Sequence, residues 1–227
     1  MPLEKMDEFF NARADIYDSH MLDDLRLDEF YEAVAACLNK PVAHLLDLGC
    51  GTGLELERLL ERYSGMQVTG VDLSHAMLER LRAKFPCRSL KLICGSYFDM
   101  DFGGPFDCVL STYSLHHFSQ EAKLELYRKI HAALQFEGFF VLGDYFVSTF
   151  EQQQELLAES SIKNQKQGIM EGELYHFDTP LTPEMEMRLL YMAGFTNVQI
   201  VRQWENSCIM TARKGDECAG SVYNSVL

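Results

Sequence analysis

Basic residues are scarce in this chain: 20 lysines and arginines stand against 34 acids, a formal charge of −14. Such a balance repels phosphate backbones and anionic bilayers, so it disfavours nucleic acid as a partner. No apolar segment approaches the length of a membrane span, and Met1-Pro2-Leu3-Glu4-Lys5 lacks the apolar stretch of a signal peptide. No membrane contact and a cytoplasmic location are therefore expected. Cys-x-x-Cys pairs are absent as well. The seven cysteines, Cys37, Cys50, Cys87, Cys94, Cys108, Cys208 and Cys218, are an odd set partly embedded in apolar runs. They read as buried, reduced thiols, so neither a disulfide framework nor a metal site is expected. Internal repeats are lacking too, and 227 residues with 47% hydrophobic content suit one α/β domain with room for an insertion.

Against these absences stands one dense motif. Leu45-Leu46-Asp47-Leu48 is an apolar run that ends at Gly49, Gly51 and Gly53, and a helical pattern follows from Leu54 to Tyr63. A buried strand turning sharply into a helix exposes glycine backbone and free helix N–H groups to a ligand, which is the architecture of a nucleotide-cofactor site. Dinucleotide folds need Gly-x-Gly-x-x-Gly, but the third position here is Leu54, so the NAD fingerprint fails. A second run, Gln67 to Val71, ends in Asp72, a carboxylate placed at a strand tip to accept ribose hydroxyls.

At these residues the chain resembles the class I S-adenosylmethionine (SAM) dependent methyltransferases. Their first motif reads much like Leu-Asp-Leu-Gly-Cys-Gly-Thr-Gly and their second ends in Val-Asp-Leu-Ser. The expected fold is a Rossmann-like, doubly wound α/β sheet of seven strands, mostly parallel with an antiparallel C-terminal hairpin strand. The pattern agrees. Strands are read at Leu90 to Cys94, Phe106 to Ser111, Gly138 to Val147, Asn197 to Arg202 and Ser207 to Ala212. Helices open at Ser74, at Ser119 (with Leu124, Tyr127, Ile130 and Leu134) and at Thr182-Pro183. Residues 1–40 are expected to form an N-terminal helical cap, including one helix from Met21 to Leu38 through Leu22, Leu25, Phe30 and Val34. Residues 41–148 would be the SAM-binding core, 149–183 a lid insertion, and 184–214 the C-terminal helix and hairpin, within a single domain 1–227.

The resemblance implies SAM as cofactor and S-adenosylhomocysteine as product. Gly49, Gly51 and Gly53 would line its methionine and ribose portions, Asp47 would hold the amino end, and Asp72 the ribose. Leu73 and Met77 would lie against the adenine, with Gly95, Ser96 and Tyr97 at its edge and Ser111 close by. Ser96 stands where relatives carry an acid. Tyr17 and Arg13 resemble lid residues that close over SAM. Replacing Asp72 by Ala is expected to weaken SAM while leaving the fold intact.

Methyl transfer asks a protein to align a nucleophile, exclude water and, for a protonated nucleophile, remove a proton. Asp144, at the end of the fifth strand, and His116 and His117, in a Leu-His-His similar to the family's, are the catalytic candidates; Tyr145 and His176 also fit the base role. After the fourth strand Ser111-Thr112-Tyr113-Ser114 lacks the Asn/Asp-Pro-Pro-Tyr of planar-amine methylation, which leaves a small-molecule methyl acceptor. A non-catalytic SAM-binding regulatory module and a tRNA-modification-related SAM enzyme stay open, as does a homodimer through the N-terminal helices.

Overall fold

The computed structural model describes residues 2–24, 27–88, 90–170 and 172–215; Leu25 and Cys218 lie outside them. In chain order the elements are α1 (Met6–Arg13), the single turn α2 (Tyr17–Ser19), a π-turn (His20–Asp24), α3 (Asp28–Cys37), β1 (His44–Leu48), α4 (Leu54–Arg62), β2 (Gln67–Asp72) and α5 (His75–Lys84). There follow β3 (Leu90–Cys94), β4 (Phe106–Thr112), a 3-10 turn (Leu115–His117), α6 (Gln120–Ala133), β5 (Leu134–Tyr145), α7 (Phe150–Gln167), α8 (Pro183–Met192), β6 (Thr196–Gln203) and β7 (Ser207–Arg213).

The strands form one seven-stranded sheet in the order β3-β2-β1-β4-β5-β7-β6. β7 runs antiparallel to both β5 and β6, and the other pairings are parallel. Alternation along each strand divides the apolar side chains between two cores. Leu45, Cys108, Leu110, Val141 and Ile209 pack with α3, α4 and α5 on one face, whereas Leu46, Leu48, Val109, Phe140 and Met210 pack with α6 and α8 on the other. Between α6 and α8 a fully buried ion pair, Lys123 Nζ to Glu186 Oε2 at 2.7 Å, is completed by the Tyr127 hydroxyl donating to Glu186. Among the described residues no helix is long and apolar enough to cross a membrane.

Two expectations shift. The helix read from Met21 to Leu38 is divided into the π-turn and α3. Leu134, read as helical, instead takes extended geometry (φ −73°, ψ 143°) and opens β5 opposite Phe106, because strand pairing offers its backbone a partner that the end of a helix does not. Of the cysteines, Cys50, Cys108 and Cys208 are buried, while Cys87 and Cys94 reach the surface.

β1 and β4 are neighbours at the point where strand order reverses, and there the carboxyl ends of the strands part to leave a crevice. Over it lie the N-terminal segment and the 149–183 insertion, joined to each other by backbone. Met6 N–H donates to Leu174 O at 3.0 Å and His176 N–H to Glu4 O at 2.9 Å, around an antiparallel bridge between Lys5 and Tyr175.

Candidate functional site

Gly49, Gly51 and Gly53 all adopt positive φ (74°, 47° and 76°), a region that costs residues with a Cβ. The loop is pinned from below: Gly49 N–H donates to Val71 O at 2.8 Å, and Gly51 N–H to Asp72 Oδ2 at 2.9 Å. The other Asp72 oxygen accepts from Ser74 N–H at 2.8 Å, tying the loop to the start of α5. A Cβ on Gly49 would overlap the Ser114 hydroxyl. Glycine there lets the ends of β1 and β4 approach, as the motif requires.

This loop forms one wall of a cleft of about 460 Å³, mouth included, at the carboxyl ends of β1, β2 and β4. Of the residues expected to hold a cofactor, Tyr17, Gly49, Gly51, Asp72, Leu73, Met77 and Tyr97 line it. Met6, Phe10, Tyr113 and Ser114 line it as well and were not assigned from sequence. Met6 and Phe10 share one face of α1 at i, i+4 spacing, a signal that was there to be read. Tyr113 sits at φ 46°, a left-handed backbone for a non-glycine residue directly after β4, and its hydroxyl meets Ser207 Oγ at 2.7 Å. Ser114 Oγ meets the Tyr97 hydroxyl at 3.0 Å.

The remaining assignments lie off the cleft, each for a visible reason. Gly53 is the N-cap of α4, and the space a Cβ would need is crowded by Leu81 of α5 and Phe85 just beyond it, so it serves helix packing. Ser111 is fully buried and donates to Leu48 O at 2.8 Å, latching β4 to β1. Gly95 and Ser96 sit in the turn after β3, where Ser96 Oγ accepts from Phe98 N–H at 3.1 Å and is spent locally. Arg13 turns outward to the exposed Glu4, with its guanidinium over the Phe9 ring. Cys50 is packed against Gly70.

Asp47 lies behind the glycine loop, fully buried beside Glu55, with which it can share a carboxyl proton; no N–H or hydroxyl of another residue reaches either Asp47 oxygen or Glu55 Oε1. Burial, then the charge of Glu55, push Asp47 well above the usual carboxylate range. Burial also raises Glu55 and Asp72. Buried carboxyls without a cationic partner favour the neutral form until a positive charge arrives. A glycine cradle, a strand-tip carboxylate, apolar and aromatic walls and this anionic floor together fit a nucleoside carrying a cation.

Beyond the cleft, Met6 and His117 also line a second cavity of about 930 Å³, mouth included, under the insertion. Its walls are mixed: Leu157, Ile169, Leu174 and Phe177 stand beside Ser160, Asn164, Glu173 and Thr179. The expected catalytic residues meet at this junction, but not as expected. Asp144 is buried and faces neither cavity. Its oxygens accept from Leu115 N–H at 2.9 Å and Tyr145 N–H at 2.8 Å, and Oδ1 lies 2.6 Å from His116 Nδ1. Despite burial, the His116 charge and hydrogen bond hold Asp144 below its usual value. It thus positions His116 instead of meeting a substrate. Burial and the neighbouring His116 push the His117 imidazole down to about 4. Opposite stands Asp178, brought in by the insertion: its Oδ1 is 3.0 Å from His117 Nδ1 and 3.6 Å from His116 Nε2. Three ligand-type atoms within 4.8 Å of one another form a group that cysteine spacing gave no reason to expect.

Comparison with known proteins agrees with this geometry. Residues 45–138, from β1 into β5, match the family model described as a methyltransferase domain. An uncharacterized methyltransferase of Oceanobacillus iheyensis is 29% identical over 153 residues, covering 65% of this chain and 70% of that protein. A carboxy-S-adenosyl-L-methionine synthase of Campylobacter fetus is 27% identical over 232 residues, covering 94% and 97%. In fold, the chain is similar to the apo structure of the SAM-dependent methyltransferase SibL, with a TM-score of 0.67 at 18% identity. That match covers 89% of this chain and 59% of that one, so the chain spans about three fifths of its length. The methyltransferase match begins on the strand that delivers the glycine loop and ends beyond the His-His turn, so residues 45–138 form a methyltransferase domain, and the motif, the switch-point cleft and the relatives converge on a similarity to SAM-dependent methyltransferases.

Proposed function

We propose that this protein transfers the methyl group of SAM to a small molecule without negative charge, bound under the 149–183 insertion. The observation that carries this reading is the shared wall: Met6 and His117 line both the cofactor cleft and the second cavity, so a methyl donor and an acceptor would meet there. In this reading Gly49 and Gly51 let SAM approach the backbone, Asp72 serves the ribose, and Tyr17, Leu73, Met77 and Tyr97 enclose the nucleoside. Asp47 and Glu55 supply the negative potential for its cationic end. The acceptor atom takes the methyl group as the S–CH₃ bond breaks and its electron pair stays on sulfur, and the proton of a hydroxyl acceptor leaves to water. The sulfonium is already activated, so alignment and exclusion of water are what the protein contributes.

A second reading is favoured by one observation, the match along 94% of this chain to carboxy-SAM synthase. Attaching a carboxyl group to SAM requires handling an anionic donor, and neither cavity has arginine or lysine among its described lining residues. That electrostatics supports methyl transfer. The surplus of acids likewise argues against a tRNA substrate. The test is mass spectrometry of SAM incubated with the protein and a library of neutral aromatic and aliphatic acceptors. S-adenosylhomocysteine with a methylated acceptor supports the proposal; SAM gaining a carboxyl group moves the assignment to the second reading. Tight SAM binding without any turnover of the library would favour a regulatory module.

A further inference from the structure

We propose that His116, His117 and Asp178 form a binding site for one divalent transition-metal ion at the junction of the two cavities. Each residue offers one atom, and the three lie within 4.8 Å of one another. Two donors each about 2.1 Å from a tetrahedral ion stand about 3.4 Å apart. The separations from Asp178 Oδ1, 3.0 Å to His117 Nδ1 and 3.6 Å to His116 Nε2, bracket that value.

The atoms are also short of other partners. The His117 side chain is 4% exposed, and neither its Nδ1 nor Asp178 Oδ1 makes a hydrogen bond of acceptable geometry, although they are only 3.0 Å apart. Buried polar atoms without partners are rare, and a shared cation satisfies both at once. Behind them, His116 uses Nδ1 on the Asp144 carboxylate at 2.6 Å, which turns Nε2 toward Asp178. A carboxylate on the far nitrogen of a histidine is the usual way to fix the tautomer and raise the donor strength of a metal ligand. Asp144 and Asp178 together carry two negative charges, which one divalent ion balances. Two imidazoles and one carboxylate suit zinc, iron or cobalt better than magnesium or calcium, which prefer oxygen alone.

The elements that deliver the ligands explain why the site belongs to the folded state. His116 and His117 sit on the 3-10 turn after β4, and Asp178 comes from the insertion, held there by Thr179 N–H donating to His116 O at 2.7 Å. Because His117 also lines both cavities, the ion would stand where an acceptor's hydroxyl oxygen could complete its shell; this use rests on the methyl-transfer reading, whereas binding of the ion does not.

The test is a Co(II) titration of the chelator-stripped full chain without SAM, followed by visible absorption. Saturation at one ion per chain is expected, with ligand-field bands of nitrogen and oxygen donors and no thiolate charge transfer from the exposed Cys87 and Cys94. Asp178→Asn and His117→Ala should each weaken Co(II) by at least about 100-fold, and Asp144→Asn by about 10–100-fold, the range for an outer partner of a ligand. Circular dichroism reports whether each variant is folded. X-ray absorption at the metal edge of the zinc-loaded wild type, which needs no variant, should show two imidazoles. Folded variants that bind Co(II) as well as the wild type, or a zinc edge showing sulfur or no imidazole, would overturn the site. Metal binding without methyl transfer to any acceptor would instead leave the site standing and remove the proposed activity.

Discussion

Replacing Asp72 by alanine should unfold the glycine loop's support as well as weaken the cofactor. The carboxylate spans two elements, accepting Gly51 N–H at 2.9 Å on one oxygen and Ser74 N–H at 2.8 Å on the other. Hydrogen bonds to a charged group contribute about 1.5–3 kcal/mol each, so about 3–6 kcal/mol is lost in gross terms. Burial raises the Asp72 pKa above its ordinary value, so part of that gain is offset by the cost of desolvating the charge. A net loss of about 2–4 kcal/mol remains, and at about 2–4 °C per kcal/mol for a chain of this size Tm should fall by about 5–15 °C. Asn, with one acceptor oxygen, should fall roughly halfway, since its amide turns a donor toward one of the two N–H groups. Differential scanning calorimetry of wild type, Asp72→Ala and Asp72→Asn, with titration calorimetry of S-adenosylhomocysteine on each, separates the two roles. Affinity should drop at least about tenfold, or about 1.4 kcal/mol, in the alanine variant. If Asp72→Ala melts with the wild type while losing affinity, the carboxylate is a ligand contact alone and the bracing argument fails.

Binding of the SAM cation should release protons, because burial holds Asp47, Glu55 and Asp72 above their ordinary values and a nearby positive charge lowers them. Titrations in two buffers of different ionisation enthalpy would give equal heats if this were wrong. The same shifts fix the sign for the ligand-free protein. These carboxyls bind protons more tightly when folded, so their contribution is complete below about pH 4 and is lost as pH rises through the raised values, which a Tm series over pH 4.5–7.5 reads out. Glu186→Ala strands the buried Lys123 ammonium and should cost about 3–5 kcal/mol in urea melts, whereas the pair Lys123→Met with Glu186→Leu should recover most of that. Arg13→Ala removes only an exposed pair with Glu4 and should change stability by less than about 1 kcal/mol and leave cofactor affinity unaltered; a tenfold loss would return Arg13 to the cofactor site.

What was legible in the sequence is what local chemistry dictates. Gly49 and Gly51 must be glycine because their φ is positive and, at Gly49, Ser114 crowds the loop, and Asp72 must close the second strand to brace them. The parallel pairings likewise follow from strands alternating with helices, whereas the seven-stranded sheet with its antiparallel ending came from the family resemblance. Side chains whose partners are distant in sequence were misplaced. Ser111 looks like a free hydroxyl until Leu48 O, 63 residues earlier, is seen to occupy it. Asp144 looks like a base at a strand end until three backbone and imidazole partners surround it.

The insertion was the least legible segment, and the cause is physical. Its docking to the N-terminal segment runs through main-chain bonds, Met6 N–H to Leu174 O and His176 N–H to Glu4 O, which any residue but proline at the donor would make. A contact of that kind leaves no trace in residue type, yet it places two pieces of chain nearly 170 residues apart on one roof. Met6 and Phe10 thereby face the cofactor cleft while Tyr175 and Phe177 face the second cavity, and Asp178 arrives beside a histidine pair some 60 residues earlier. Gln153, fully buried, holds the return of the insertion through its Oε1, which accepts from Thr182 N–H at 3.0 Å. Buried there, it anchors the segment on which the second cavity and the Asp178 position depend.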